Sequence, residues 1–348
     1  MTITRRDILK RSMGLVALGM IGLGGLTLPM PALAADLDVR FSWYLPNTSS
    51  TGKEGFNVAK RIEKLSKGDI NVKTYPSGSL LQQYETAEGV QNNTVNLAIL
   101  GMHWWGGKVP ALEWDTVPFL ANDVDALMEA FHGPLGEYIN KLLEPHGVKF
   151  VGWSLYGYAF DYINTKHPVK IPKDFNGLRM RSQGTLSSLF LKQQGATTVG
   201  MDSGEVYTSL QRGAIDGAGS GVSDFVSRKW QEVANHVTAI KYVPIVYPII
   251  ANLNWWNGLT GEQRSIITQA MRDAEADNLK DIDDEYTNAV AAMKENGNEV
   301  YEPKGEEIEV WKKGYSPLLD EYLRMSGEEG KHIIELLQEA GVTDVTLN

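Results

Sequence analysis

The stretch "NGLRMRSQG" at residues 176–184 sets two arginines, Arg179 and Arg181, in alternation with Leu178 and Met180. Alternation of this kind reads as a strand with one polar face, so both guanidinium groups share that face. Arg181 stands at the strand's end, just ahead of "SQGTLSS", where a helix is expected to begin. A guanidinium grips a carboxylate through two parallel hydrogen bonds, and the free N–H groups of a helix start add positive potential. The arrangement suits capture of a carboxylate, and it also suits a surface salt bridge. Spacing alone does not choose between the two arginines.

Three groups of aromatic residues could wall such a site: Trp43 with Tyr44; Trp104 with Trp105; and Trp153, Tyr156, Tyr158, Phe160 and Tyr162 within ten residues. Each group falls at or just past the end of an expected strand, where open α/β sheets bind ligands. Plain core packing is the alternative for each. Trp255 and Trp256 instead lead into a long helical pattern, and Trp256 is read as packing.

Catalytic patterns are missing from the chain beyond residue 35. It has no G-x-S-x-G elbow, no H-E-x-x-H and no phosphate loop. The six histidines are scattered without metal-ligand spacing, and Asp281, Asp283, Asp284 and Glu285 read as a solvated helix face. There is no cysteine, so disulfides, iron–sulfur clusters, c-type haem and a lipidated cleavage-site cysteine are all excluded. No cofactor and no metal are expected, and the residues favour binding over catalysis. An exported enzyme with a diffuse acid–base site is the competing reading.

The first 35 residues are read as an export signal rather than part of the fold. "TRRDILKR" supplies a positive start, "MGLVALGMIGLGGLTL" a 16-residue apolar run, and "ALA" at Ala32 to Ala34 a small-residue cleavage site. The run is short and glycine-rich for a membrane span. The pair Arg5-Arg6 resembles a twin-arginine signal, with an ordinary positive segment as the alternative. Cleavage near Ala34-Ala35 would place the protein in the periplasm. The chain carries a formal charge of −10, and removing this segment's net +3 leaves −13. So acidic a surface argues against nucleic acid or anionic membrane as partners.

The elements that position these residues alternate. "VRFSWYL", "INVKTYP" and "VNLAIL" read as strands, with helices over "GKEGFNVAKRIEKLS" and 82–91 between them. "GVKFVGWSL", "LRMR" and "AIDGAG" read as later strands, with helices near 185–194 and 204–212; Asp202 is the expected N-cap of the latter and Gly213 its stop. This succession implies mostly parallel sheets with helices on their faces. Gln91, Asn96 and Ala98 echo Gln211, Asp216 and Ala218 at a constant offset of 120, as two similar α/β lobes would. Residues 262–296 carry helical spacing throughout. At ~1.5 Å per residue that is roughly 50 Å, a strut across two lobes, unless it breaks near Asp281–Asp284.

Over nearly the whole chain beyond residue 35 the sequence resembles the C4-dicarboxylate-type (DctP) solute-binding proteins of TRAP transporters. The resemblance rests on "RFSWYLPNTSSTGKEGFNVAKRIEKLS", "FNGLRMRSQG", "EVYTSLQRGAIDGAGSG" and "YVPIVYPIIANLNWWNGLTGEQR". It implies an α/β, two-lobed periplasmic-binding-protein fold with hinge strands and a long helix spanning both lobes. The expected lobes are residues 36–158 with 247–280, and 159–246 with 281–348. It further implies a monomer that closes around a small organic acid and delivers it to sodium-coupled permease subunits. An ABC-type binding protein or a sensory receptor would share the two-lobed logic. Arg181 falls on the family's ligand arginine and Arg179 on a surface position. Gly219 and Ser220 stand where many members carry longer ligand-contacting side chains, and Asp161 stands where some carry a second arginine. With Tyr44, His103, Trp104 and Tyr158 as further expected contacts, the pattern points to a monocarboxylate: hydroxy-, keto- or aromatic.

Overall fold

Apolar residues alternate with polar ones along β1 (Leu37–Trp43), and Val39, Phe41 and Trp43 are completely buried. The computed structural model describes residues 37–121, 123–159, 161–241 and 243–347. The expected export signal and Phe160 lie outside the described residues. None of the described helices is long and apolar enough to cross a membrane.

β1 is parallel to β2 (Ile70–Tyr75) and to β3 (Leu97–Ile99). β10 (Val243–Asn252) then lies antiparallel between β3 and β4 (Val148–Ala159), giving a five-stranded sheet of order β2-β1-β3-β10-β4. A second, six-stranded sheet has the order β11-β9-β5-β8-β6-β7. Its strands are β5 (Asp161–Asn164), β6 (Arg179–Ser182), β7 (Thr197–Gly200), β8 (Gly217–Ser220), β9 (His236–Thr238) and β11 (Glu299–Tyr301). The chain passes between the sheets from β4 to β5, from β9 to β10, and from β10 to β11.

The faint internal echo has a structural counterpart. In the first sheet Ser42 of β1 pairs with Ala98 of β3; in the second Arg181 of β6 pairs with Ala218 of β8. The Asn96 side chain accepts from the Arg40 amide at 2.8 Å, as the Asp216 carboxylate accepts from the Arg179 amide at 2.9 Å. Arg40 and Arg179 then donate to matching main-chain carbonyls, Thr94 and Ala214. The two arginine-bearing strands are repeats of one unit, and Arg181 occupies the place that buried Ser42 holds in the first.

The long pattern is one unbroken helix, Gly261–Glu295. Thr260 and Gln263 form its capping box, satisfying two of the orphan N–H groups at its start. Ile267, Ala270, Met271 and Ala274 enter the core around the first sheet, whereas Tyr286, Ala289, Val290 and Met293 enter a core against the second. One rigid element therefore serves two cores. Two boundaries differ from expectation. β10 joins the first sheet already at Val243. The helix Pro317–Glu339, expected with the second lobe, packs on residues 110–116 and on the helix Pro134–Leu143, with Tyr322 Oη donating to the Ala111 carbonyl at 2.9 Å. Its apolar residues Ile333, Ile334 and Leu337 find their cover there. Asp202 stands at the N-cap of the 3-10 turn Ser203–Glu205 that leads into the helix Val206–Gln211, but its side chain makes no cap bond.

The first helix (Ser50–Leu65) and the long helix meet over β4, and each brings a glutamate. Glu54 is fully buried and its carboxyl is pushed up to about 8 by burial, opposed only by the Ser154 hydroxyl. Glu275 is pushed up to about 9 by burial and then by Glu54 and Glu129, with Arg272 opposing. Trp153 Nε1 donates to His132 Nε2 at 3.3 Å, so that nitrogen is an acceptor. Glu275 contacts the same nitrogen, and its raised carboxyl favours the protonated form that can donate there. Burial likewise holds His132 below its usual range, in the neutral form this requires. A raised folded-state pKa favours folding fully below the unfolded pKa near 4.5, and that contribution is lost as pH rises toward 8–9. Denaturant unfolding from pH 5 to 9 should therefore show stability declining with pH. Glu54→Gln should flatten that slope and add roughly 2–3 kcal/mol at pH 7; an unchanged slope would contradict the assignment.

Candidate functional site

Arg181 is 1 % exposed, the most deeply buried cation of the second sheet's parallel core. Its Nε donates to the Met201 carbonyl at 3.3 Å and its Nη1 to the Gly219 carbonyl at 2.9 Å. Gln183 Nε2 also donates to Gly219 O, at 2.6 Å. No carboxylate among the described residues forms an ion pair with Arg181; Asp224 acts on its charge from beyond ion-pair distance, and so does Asp202, whose carboxyl is raised by burial and by Glu205. Burial depresses the Arg181 pKa, yet a guanidinium stays protonated in proteins. A buried full charge held only by carbonyl dipoles is incompletely compensated.

The first sheet faces it with tyrosines. Tyr44, directly after β1, donates from its hydroxyl to that of Tyr247 in β10 at 3.0 Å. Tyr247 stacks on Tyr156 with ring centroids 4.9 Å apart. A β-bulge supplies Tyr156: β10 pairs Ile245 with Gly157 and Val246 with Leu155, leaving Tyr156 as the extra residue. Gly157, at φ +127°, makes the backbone there possible. Burial raises the Tyr44 hydroxyl to about 12 and holds Tyr156 and Tyr247 well above their ordinary range. All three therefore remain O–H donors.

His103 and Trp104 complete this wall in a 3-10 turn after β3. His103 Nδ1 lies 3.0 Å from Asp115 Oδ2. Its Nε2 and the Trp104 indole nitrogen are buried without hydrogen-bond partners among the described residues. Ser220, at the end of β8, donates from Oγ to Asp224 Oδ2 at 2.6 Å and lies 3.3 Å from the Tyr156 hydroxyl. The structure thus brings together Arg181, Tyr44, His103, Trp104 and Ser220. It draws in Tyr156 from the expected aromatic group and adds Tyr247, Asp224 and Arg228, which sequence reasoning did not single out as site residues. Asp224 and Arg228 had a legible signal: an acid and a base at i,i+4 just after the strand that carries Ser220.

Two expected contacts go elsewhere. Asp161 accepts from the amides of Ile240 at 2.6 Å, Lys241 at 3.2 Å and Val222 at 3.3 Å. Its carboxyl, raised to about 7 by burial against these bonds, ties the two crossing strands together instead of facing Arg181. Tyr158 lies under Lys241 Nζ at 4.5 Å and edge-on to Tyr286 of the long helix. The start of helix Gly184–Gln193 is not a free anion site either. The Glu113 carboxylate occupies it, bonded to Thr185 N at 3.2 Å, Thr185 Oγ1 at 2.7 Å and Leu186 N at 3.4 Å. Gly106 makes this reach possible, since a Cβ there would lie 2.1 Å from Glu113 Oε1. Gln83 makes a second bridge of this kind, its Oε1 accepting from Ser203 N at 3.0 Å and Oγ at 3.1 Å.

A cavity of about 640 Å³ adjoins the aromatic wall, lined by Tyr84, His103, Trp104, Glu113, Ser182 and Thr185 among others. Another, of about 670 Å³, lies between the first helix, helix Val222–Ser227 and the long helix and includes none of the Arg181 cluster. We place the site at the cluster because a buried unbalanced charge, not empty volume, demands a ligand.

Arg179 serves the scaffold instead. Its Nε and Nη2 grip Asp216 at 2.9 and 2.8 Å, and this pairing holds the Asp216 carboxyl well below the usual range.

Two α/β sheets sharing a hinge and a buried guanidinium between them define a two-lobed solute-binding receptor. Residues 41–325 match the profile of the bacterial extracellular solute-binding proteins, family 7 (DctP), and the chain belongs to that family. It is 29 % identical over 308 residues to the C4-dicarboxylate-binding periplasmic protein DctP of Rhodobacter capsulatus, covering 87 % of this chain and 92 % of that one. The solved structure of the sugar acid binding protein DctPAm from Advenella mimigardefordensis, in complex with galactonate, superposes with a TM-score of 0.81 at 23 % identity, over 87 % and 98 % of the two chains. A TRAP periplasmic solute-binding protein from Sulfurospirillum deleyianum with bound succinate gives 0.80 at 21 % identity, over 88 % and 100 %.

Glu113→Ala should lower stability by about 1–3 kcal/mol, because it removes a buried acceptor from three donors at a helix start; an unchanged urea midpoint would show the bridge to be incidental. Arg179→Ala should lower stability only slightly, as expected of an exposed ion pair, while leaving acid binding intact, as calorimetry would reveal.

Proposed function

We propose that this protein captures a small organic acid in the periplasm by closing two lobes on it, and delivers the acid to the membrane subunits of a TRAP transporter. The observation that carries the reading is Arg181, a buried cation without an ion-pair partner among the described residues, close to the protonated Tyr44 and Tyr247. A ligand carboxylate supplies the missing charge and accepts from guanidinium and hydroxyl donors together. Family membership and carboxylate-bound relatives point the same way.

On this reading residues up to 158, with β10 and the first half of the long helix, form one lobe, and 159–241 with the remaining half forms most of the other. The acid docks first on Arg181. Tyr44, Tyr247 and the 101–104 turn then favour the closed form, which the ligand stabilises by binding it better. Glu113 and Gln83 hold the rim. The N-terminal segment exports the chain, by the twin-arginine route if Arg5-Arg6 acts as its sequence suggests, and the mature receptor works as a monomer without turning over its ligand.

A thermal-shift screen of organic acids tests this. A ligand at 100 times its Kd should stabilise the protein by roughly 2.7 kcal/mol. Arg181→Gln should weaken binding by several kcal/mol, since it leaves a buried carboxylate unpaired. Wild-type affinity in that variant would refute the carboxylate clamp.

A further inference from the structure

The helix Val222–Ser227 follows β8 directly and carries Asp224, with Arg228 just past its end. Arg228 Nε donates to Asp224 Oδ1 at 3.2 Å, while Asp224 Oδ2 takes the Ser220 hydroxyl at 2.6 Å. Ser220 in turn meets the Tyr156 hydroxyl, and the residue before it, Gly219, takes Arg181 Nη1. The Asp224–Arg228 pair is thus joined to the Arg181 cluster through one short strand end. Its side chains are only 5 % and 11 % exposed. Arg228 Nη2 is buried and has no hydrogen-bond partner among the described residues. Buried guanidinium N–H groups are almost always satisfied, so this one marks a missing acceptor.

Charge narrows what that acceptor is. Arg181 and Arg228 share the one carboxylate of Asp224, which leaves a single net positive charge, so the site balances one negative charge and not two. A second carboxylate near Arg228 would also face Asp224. An ammonium would suit Asp224 but be repelled by Arg228. A hydroxyl both accepts and donates, so it can take the Arg228 N–H and give its own proton to Asp224. The stacked Tyr156 and Tyr247 rings offer an apolar wall to the carbon chain between.

We propose that the preferred ligand is a hydroxylated monocarboxylate, and that Asp224 and Arg228 read a hydroxyl remote from the carboxylate. This rests on Arg181 holding the carboxylate end. Burial pulls the Arg228 pKa down and Asp224 more than offsets it, in keeping with the pair's place in the cluster.

The test is calorimetry on the wild type, Asp224→Asn, Arg228→Gln and Arg181→Gln. The probes are threonate and gluconate, their deoxy counterparts butanoate and hexanoate, and the dicarboxylates succinate and adipate. At least one hydroxylated acid should bind 100-fold or more tighter than its deoxy counterpart and than the dicarboxylate of equal length. That preference should shrink tenfold or more in Asp224→Asn and in Arg228→Gln, and Arg181→Gln should abolish binding of every acid. Circular dichroism confirms folding, and if Asp224→Asn fails to fold, Arg228→Gln carries the test. The inference is overturned if a dicarboxylate binds best, if no hydroxylated acid binds, or if the preference is unchanged in the folded variants. Binding retained by Arg181→Gln would instead overturn the carboxylate clamp, and this inference with it.

Discussion

A guanidinium removed from water and given only main-chain carbonyls to bond is the constraint around which the second sheet and the cleft are arranged. Solvation lost by Arg181 is returned in part by Met201 O and Gly219 O, but dipoles do not neutralise a full charge. The remaining field points at a wall of tyrosine hydroxyls, which burial keeps protonated and therefore donating. Such a site carries too little negative charge, so it favours an anion.

The scaffold behind it is a duplicated unit used unequally. Both repeats lock a strand to the loop ahead of its neighbour with an arginine, Arg40 in one and Arg179 in the other. Two residues further on, the first repeat carries Ser42, bonded to a carbonyl within its own sheet, and the second carries Arg181. A bulge in β4 then turns Tyr156 out of its ladder onto Tyr247 and Ser220. Asp161 binds the crossing strands at their amides, and one continuous helix runs through both cores. Motion between lobes is thereby confined to a few backbone positions, as a hinge requires.

Much of the fold was legible along the chain because periodicity reports burial directly. Strand alternation, the long helical pattern and the offset of 120 all correspond to elements in place. The errors fell where a local pattern had no knowledge of its neighbours. Asp202 took the N-cap position that its type and spacing suggested, yet its side chain makes no cap bond. Pro317–Glu339 returned to elements of the first sheet, because its apolar face finds cover there. The helix start beside Arg181 looked free, yet Glu113 reaches it from 71 residues upstream of Gly184.

By itself the sequence determined the succession of elements, and its resemblance to a family named the class of protein and chose Arg181 over Arg179. The elements follow from hydrophobic period and composition, which are properties of neighbours in the chain. Only the tertiary structure decided what surrounds that charge. It sent Asp161 and Tyr158 to the hinge and the long helix, filled a helix start with Glu113, and joined Tyr44, Tyr156, Tyr247, Asp224 and Arg228 to Arg181. The physical reason is that charge balance and hydrogen-bond satisfaction are settled among groups within a few ångströms of one another, and the fold alone sets which groups those are.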